Sequence, residues 1–132
     1  MLQTPSNDRV LNALNDAKYL YDNNSRLNRQ QRFDKVMSLA EWDVFSIAQL
    51  SQISGYSTAT LYGMGITKRG FGAGRFNPLS LDTLIQMRLS VLNKRPLSMV
   101  LLRAAIDEGN SHRVVSRFIG LNASTISRKL NG

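Results

Sequence analysis

Apolar residues return along most of this chain at steps of three and four, the period of an amphipathic helix. Val10, Leu14, Ala17 and Tyr21 mark a first helix over about residues 7–22, behind Pro5 and Ser6. Asn23, Asn24 and Ser25 interrupt the pattern, and Ser25 is the expected cap of a second helix reaching about Leu39. Phe33, Val36, Met37 and Ala40 would line the inner side of that helix. Later in the chain Leu81, Leu84, Ile85, Met87 or Arg88, and Leu92 form a broad apolar face from about residue 80 to 93, with Ser80 as the expected cap. Lys94-Arg95-Pro96 breaks it, and a further helix opens at Leu97 or Ser98 and runs to about Glu108. The period predicts an all-α, multi-helix bundle of seven or eight helices.

Two stretches carry a second, tighter pattern. From His112 onward, a small residue (Ser116) precedes Gly120 by four positions, and Leu121 follows. Asn122, Ala123 and Ser124 then make a polar turn into a last helix. Two helices crossing over a 3–4-residue turn need a small residue at the approach and a residue that tolerates the left-handed conformation at the bend. Ser111 is the expected cap of the first helix and Ser124 of the second. Val115, Ile119, Leu121, Ile126 and Leu130 form the inner face, leaving Asn122, Ala123, Ser124, Ser127 and Arg128 outside. The same pattern runs from Ile47 to Ile66, with Leu50 and Ile53 apolar, Ser51 small, Gly55 at the bend and Tyr56 after it. Asp43 or Ser46 would cap its first helix; Leu61 and Met64 face in, and Ser57, Thr58, Tyr62 and Gly63 face out. Gly63 and Gly65 each disfavour a helix by about 1 kcal/mol relative to Ala, so its second helix should be short.

Ser124-Thr125-Ile126-Ser127-Arg128, ending in Leu130-Asn131-Gly132, resembles the recognition helix of helix-turn-helix repressors. It is similar to the Thr-Val-Ser-Arg run of the lactose-repressor family and to the Asn-Gly ending of lambda-type phage repressors. Residues 47–62 resemble the same superfamily, and the two matches cover about a third of the chain. Lys129 departs from the motif, which usually carries an apolar residue there; Leu130 is expected to take over that packing. The resemblance implies tandem helix-turn-helix units and, by analogy of fold and small size, a phage-type regulator such as an immunity repressor. The elements group into N-terminal helices (1–40), a first helix-turn-helix with a basic glycine-rich loop (41–79) and a helical lobe ending in a second helix-turn-helix (80–132). It places Ser57, Thr58, Thr60 and Tyr62 of the first unit against DNA, and Arg113, Asn122, Ser124, Thr125, Ser127, Arg128 and Lys129 of the second.

Charge agrees with that reading through its placement more than its total. The formal net charge is +8. Four Lys/Arg and no acid lie between Gly109 and the end, and three Lys/Arg and no acid between Val44 and Leu81. Those three, Lys68, Arg69 and Arg75, sit in a glycine-rich segment with Phe71 and Phe76. The segment at 66–77 reads as a β-hairpin wing or basic arm following the DNA backbone, or as a loop whose phenylalanines dock on the core. Arg26, Arg29, Arg32 and Lys35 recur at three-residue steps, either as a phosphate-contacting stripe or as a solvated face.

Other chemistries find little footing. No cysteine is present, and the lone His112 lacks a partner cluster, so it reads as a surface or capping residue, with no metal and no cofactor expected. The nine carboxylates show no paired acidic motif for a two-metal nuclease, and no Ser-His-Asp or Cys-His set is available, so no enzyme is expected. Trp42, between Glu41 and Asp43, reads as core or inter-helix packing. No apolar run of about eighteen residues and no apolar signal core appear, which predicts a cytoplasmic, nucleoid-associated protein off the membrane. The expectation is a sequence-specific transcriptional regulator of double-stranded DNA, acting as a monomer or homodimer. The alternatives are an accessory factor for recombination, packaging or partition, or an interaction module. In the last, one helix-turn-helix is structural and the partner is RNA polymerase or a recombination protein.

Overall fold

The computed structural model describes residues 8–67, 70 and 74–131. The described residues form helices and no strands, and six of the α-helices begin where a side chain accepts from free N–H groups. The first, α1 (Arg9–Asn23), is capped by Asp8, whose carboxylate accepts from the Leu11 N–H at 2.7 Å. In α2 (Arg29–Glu41) the cap is Asn28, in a reciprocal box with Gln31. The expected cap Ser25 lies instead within a 3-10 turn, Asn24–Arg26, that carries the chain between the two helices.

Ser46, rather than Asp43, caps α3 (Ile47–Ser54), again in a box with Gln49, and Ser57 caps α4 (Thr58–Gly63). α5 (Leu81–Leu92) follows a 3-10 turn, Pro78–Ser80, capped by Asn77. Ser80 does not cap α5, because its hydroxyl is buried and accepts from Asn110 Nδ2 at 2.7 Å. Ser98 caps α6 (Met99–Asp107) and Ser111 caps α7 (His112–Ile119); α8 spans Ala123–Asn131.

The helices pack as two four-helix halves with similar neighbour patterns. α1, α2 and α3 touch one another and α4 sits on α3; α5, α6 and α7 touch one another and α8 sits on α7 and α6. α1 lies along α5 and joins the halves. Leu11, Leu14, Ala17 and Leu20 of α1 and Leu81, Leu84, Ile85 and Met87 of α5 are buried in the shared core. A second link is aromatic. Phe45 before α3, Phe76 before α5 and Phe118 of α7 form a triangle with ring centroids 5.4–6.2 Å apart, all tilted. Trp42 packs against the core and its indole N–H donates to Asp16 at 2.7 Å, an inter-helix role.

The segment between α4 and α5 is docked at the positions described. Ile66 and Phe76 are buried, and no strand forms among its described residues. Gly74 leaves no room for a side chain, since a Cβ there would fall 2.6 Å from Val114 and 2.7 Å from the Ser111 hydroxyl. The Arg75 carbonyl accepts from Ser111 N–H at 3.0 Å, and Asn110 Oδ1 accepts from Asn77 N–H at 2.8 Å. Phe76 therefore docks on the core, as the loop alternative expects. Lys68, Arg69 and Phe71 lie outside the described residues.

Candidate nucleic-acid interface

The α7–α8 unit is a helix, a three-residue bend and a helix. Gly120 takes the left-handed conformation (φ +86°) and its N–H donates to Ser116 O at 2.9 Å, ending α7. The small residue does what helix approach requires. Ser116 is buried and folds its hydroxyl onto the Arg113 carbonyl at 2.8 Å, which keeps it out of the helix contact. Val115, Ile119 and Ile126 are fully buried, and Leu121 and Leu130 pack against the same core. Leu130 thus fills the packing role and Lys129 is exposed.

Two expectations for this unit change. α8 begins at Ala123, so the cap position belongs to Asn122, whose carbonyl accepts the Ile126 N–H at 3.1 Å. Ser124 is already inside the first turn and exposed. Ile126, in the first turn of α8, is fully buried. Ser127 is half-buried rather than outward: its hydroxyl lies 3.1 Å from His112 Nδ1, tying α8 to the start of α7. Thr125 is also half-buried, with its hydroxyl 3.4 Å from Arg128 Nη2.

Where α7 meets the bend lies an open cleft of about 570 Å³, lined by Arg113, Arg117, Ser116, Gly120, Leu121, Asn122 and Ala123. Arg113 and Arg117 are exposed on one edge; Asn122, Ala123, Ser124, Arg128 and Lys129 are exposed along the start and outer side of α8. Arg117 is not among the residues that the sequence motif singles out. Its signal is position: four residues after Arg113, it falls on the same helical stripe.

The α3–α4 unit has the same bend with a different surface. Gly55 is left-handed (φ +80°), its N–H donates to Ser51 O at 2.9 Å, and the Ser51 hydroxyl donates to the Tyr56 carbonyl at 2.6 Å. Leu50, Ile53 and Leu61 are buried; Met64 is half-buried. Ser57, Thr58, Thr60, Tyr62 and Gly63 are exposed, Tyr62 by 57%. Ser57 and Thr60 are occupied with each other, hydroxyl to hydroxyl at 2.8 Å. Counting from the two capping serines, Ala48 and Gln52 stand where the other unit has Arg113 and Arg117. Gln52 is further committed, donating to the Phe76 carbonyl at 2.8 Å.

The stripe on and before α2 splits in two. Arg26 and Arg29 are exposed. Arg32 donates to the Ser54 carbonyl at 3.1 Å and lies 4.7 Å over the Tyr56 ring, while Lys35 lies 4.8 Å over Tyr19. Arg75 is exposed beside the start of α7. Among the described residues no group of three or more His, Cys, Asp or Glu could hold a metal ion, and no helix is long and apolar enough to cross a membrane. Compared with protein-family models, curated proteins and solved structures, the chain matches none.

Proposed function

We propose that the chain is a sequence-specific, double-stranded DNA-binding regulator whose principal reading element is α8. The observation that carries the proposal is a coincidence of shape and charge. The bend at Gly120 presents the start of α8 beside Arg113 and Arg117, Arg128 and Lys129 follow on the same helix, and no acid occurs from Gly109 onward. A helix of this kind entering a major groove brings its first residues to base edges and leaves flanking cations for phosphates. Asn122, Ala123, Ser124 and Arg128 are the base-facing set; Arg113, Arg117 and Lys129 the phosphate set. Arg128 is the residue for a guanine, which presents two acceptors to a guanidinium fork. The phage-type repressor role rests on the sequence resemblance.

For α3–α4 the proposal is narrower. Between Val44 and Thr67 the sequence carries no cation, so DNA contacts from α4 itself would be made by Thr58 and Tyr62. That neutral face favours a second reading for this unit, a protein-docking surface for a partner such as RNA polymerase. Selection from a random duplex library, followed by affinity measurements over a salt series, tests the function. A recovered consensus with a steep salt slope is expected. Equal affinity for the selected duplex and a scrambled one would reject it.

A further inference from the structure

In both units one arginine from outside the motif reaches the last turn of the first helix. Arg32, on α2, donates through Nη2 to Ser54 O at 3.1 Å, joined there by Asn24 Nδ2 at 2.8 Å. Arg88, on α5, donates through Nη1 to Phe118 O at 3.2 Å. Both carbonyls belong to the last turn of a helix, where no intrahelical donor is available and the dipole favours a cation. The chain turns left-handed one residue after Ser54, at Gly55, and two residues after Phe118, at Gly120. A Cβ at Gly55 would meet Asn24 Nδ2 at 3.1 Å, and one at Gly120 would meet Arg88 Nη1 at 3.2 Å. The bare glycine and the reaching side chain are two parts of one fit.

The clamps differ in what holds the arginine. Arg32 rests over the Tyr56 ring. Arg88 is gripped by Asp8 through two parallel bonds, Nε to Oδ1 at 2.8 Å and Nη2 to Oδ2 at 2.9 Å, with the side chains only 12% and 16% exposed. Asp8 is also the cap of α1. One guanidinium therefore ties the start of α1, the middle of α5 and the end of α7. The fork geometry fixes its orientation as well as its position.

We propose that Arg88 is a positioning residue for α8, with Asp8 as its orienter. The pair sets the direction in which the chain leaves α7 at Gly120, and hence the pose of the reading helix, from a place where neither side chain reaches the outer face of the motif. This rests on the DNA-binding reading above. It makes the N-terminal half a working part of the second unit.

The test compares the full-length chain with Arg88→Gln, Arg88→Lys and Asp8→Asn; the last keeps a good cap for α1 while removing the charge. The probes are a duplex selected by the wild-type chain from a random library longer than one helical turn, and a scrambled duplex of equal length. Arg88→Gln is expected to lose about tenfold in affinity for the selected duplex. Binding to the scrambled duplex and the salt slope should be unchanged, because Arg88 neutralises no phosphate. Arg88→Lys, which lacks the fork, should follow Gln, and Asp8→Asn should fall less in the same direction. A salt slope lowered by about one would make Arg88 a phosphate ligand instead and overturn the proposal. Parallel losses on both duplexes would overturn it too, as the mark of lost folded protein.

A readout without DNA runs beside this. Amide exchange at Gly120 and Leu121 should quicken in Arg88→Gln while Gly55 and Tyr56 hold, and unchanged exchange at the second bend would overturn the proposal. If the wild-type chain selects no duplex, the DNA-binding reading fails, and the exchange experiment alone decides whether Arg88 positions α8.

Discussion

The α3–α4 and α7–α8 units share the residues that make the bend and differ in most of what they turn outward. Ser46 and Ser111 cap their first helices, Ser51 and Ser116 accept the bending N–H, Gly55 and Gly120 turn left-handed, and Leu61 and Ile126 are buried to the same degree. Outside, Arg113 and Arg117 stand against Ala48 and Gln52, and nine residues of α8 against six of α4. The inner positions make the bend; the outer ones are free to give it a use. A motif match therefore argues for shape, and the surface has to be argued separately.

The comparison is broken most directly at the core. Leu61→Ala and Ile126→Ala each remove a side chain with no exposure, and each should cost about 2–5 kcal/mol in chemical denaturation. Similar losses, on one cooperative transition, are expected because α1 and α5 join the halves. Two separate transitions would show that the halves fold independently.

The next effect separates the surfaces. Arg128→Ala should weaken binding to a selected duplex by about 1–3 kcal/mol and relax preference at one base pair. Thr58→Ala with Tyr62→Ala should shift binding less, since neither side chain offers the paired donors that an arginine presents to a guanine. If the double variant weakened binding as much as Arg128→Ala, α4 would be an equal reader.

Charge can also be moved between the units. Replacing Arg113 and Arg117 with Gln should lower the salt slope by about 0.9 for each phosphate no longer neutralised. Installing arginines by Ala48→Arg and Gln52→Arg should raise it if the first bend faces the same duplex. An unmoved slope in the second experiment would place the α3–α4 face away from DNA and favour docking of a protein there.

Much of this arrangement is legible in the chain because it is local. Ser46, Ser98 and Ser111 announce helices through one hydroxyl and one free N–H, and Gly55 and Gly120 announce bends through backbone geometry that other residues resist. What is not legible depends on partners far along the chain. Ser25 and Asn28 are both capping types, and the 3-10 turn that brings Asn24 to the Ser54 carbonyl places the cap at Asn28. Asn122 and Ser124 compete in the same way, and α8 starts directly after Asn122. Arg32 reads in sequence as one member of an exposed stripe, while its partners are the Ser54 carbonyl and the Tyr56 ring. Arg88 reads as one side of an apolar helix, and its carboxylate partner lies eighty positions away.

That ion pair gives the smallest and sharpest contrast between the units. The Asp8 carboxyl is held below the ordinary carboxylate range, chiefly by its hydrogen bonds from Arg88, with desolvation opposing and the Leu11 N–H assisting. A group whose folded pKa is lowered contributes stability that is complete above its unfolded value, about 3.9 for Asp, and drains away as pH falls through the folded value. The wild-type chain should therefore exceed Asp8→Asn in stability by on the order of 1 kcal/mol at neutral pH, and the gap should close in acid. The Arg32 clamp is built from a backbone carbonyl and a tyrosine ring, with no carboxylate gripping the guanidinium. Amide exchange at Gly120 and Leu121 should then quicken below the carboxylate range relative to Gly55 and Tyr56, once the intrinsic pH dependence of exchange is divided out. Equal quickening at both bends would mean that acid loosens the whole bundle, and that Asp8 has no particular hold on the second unit.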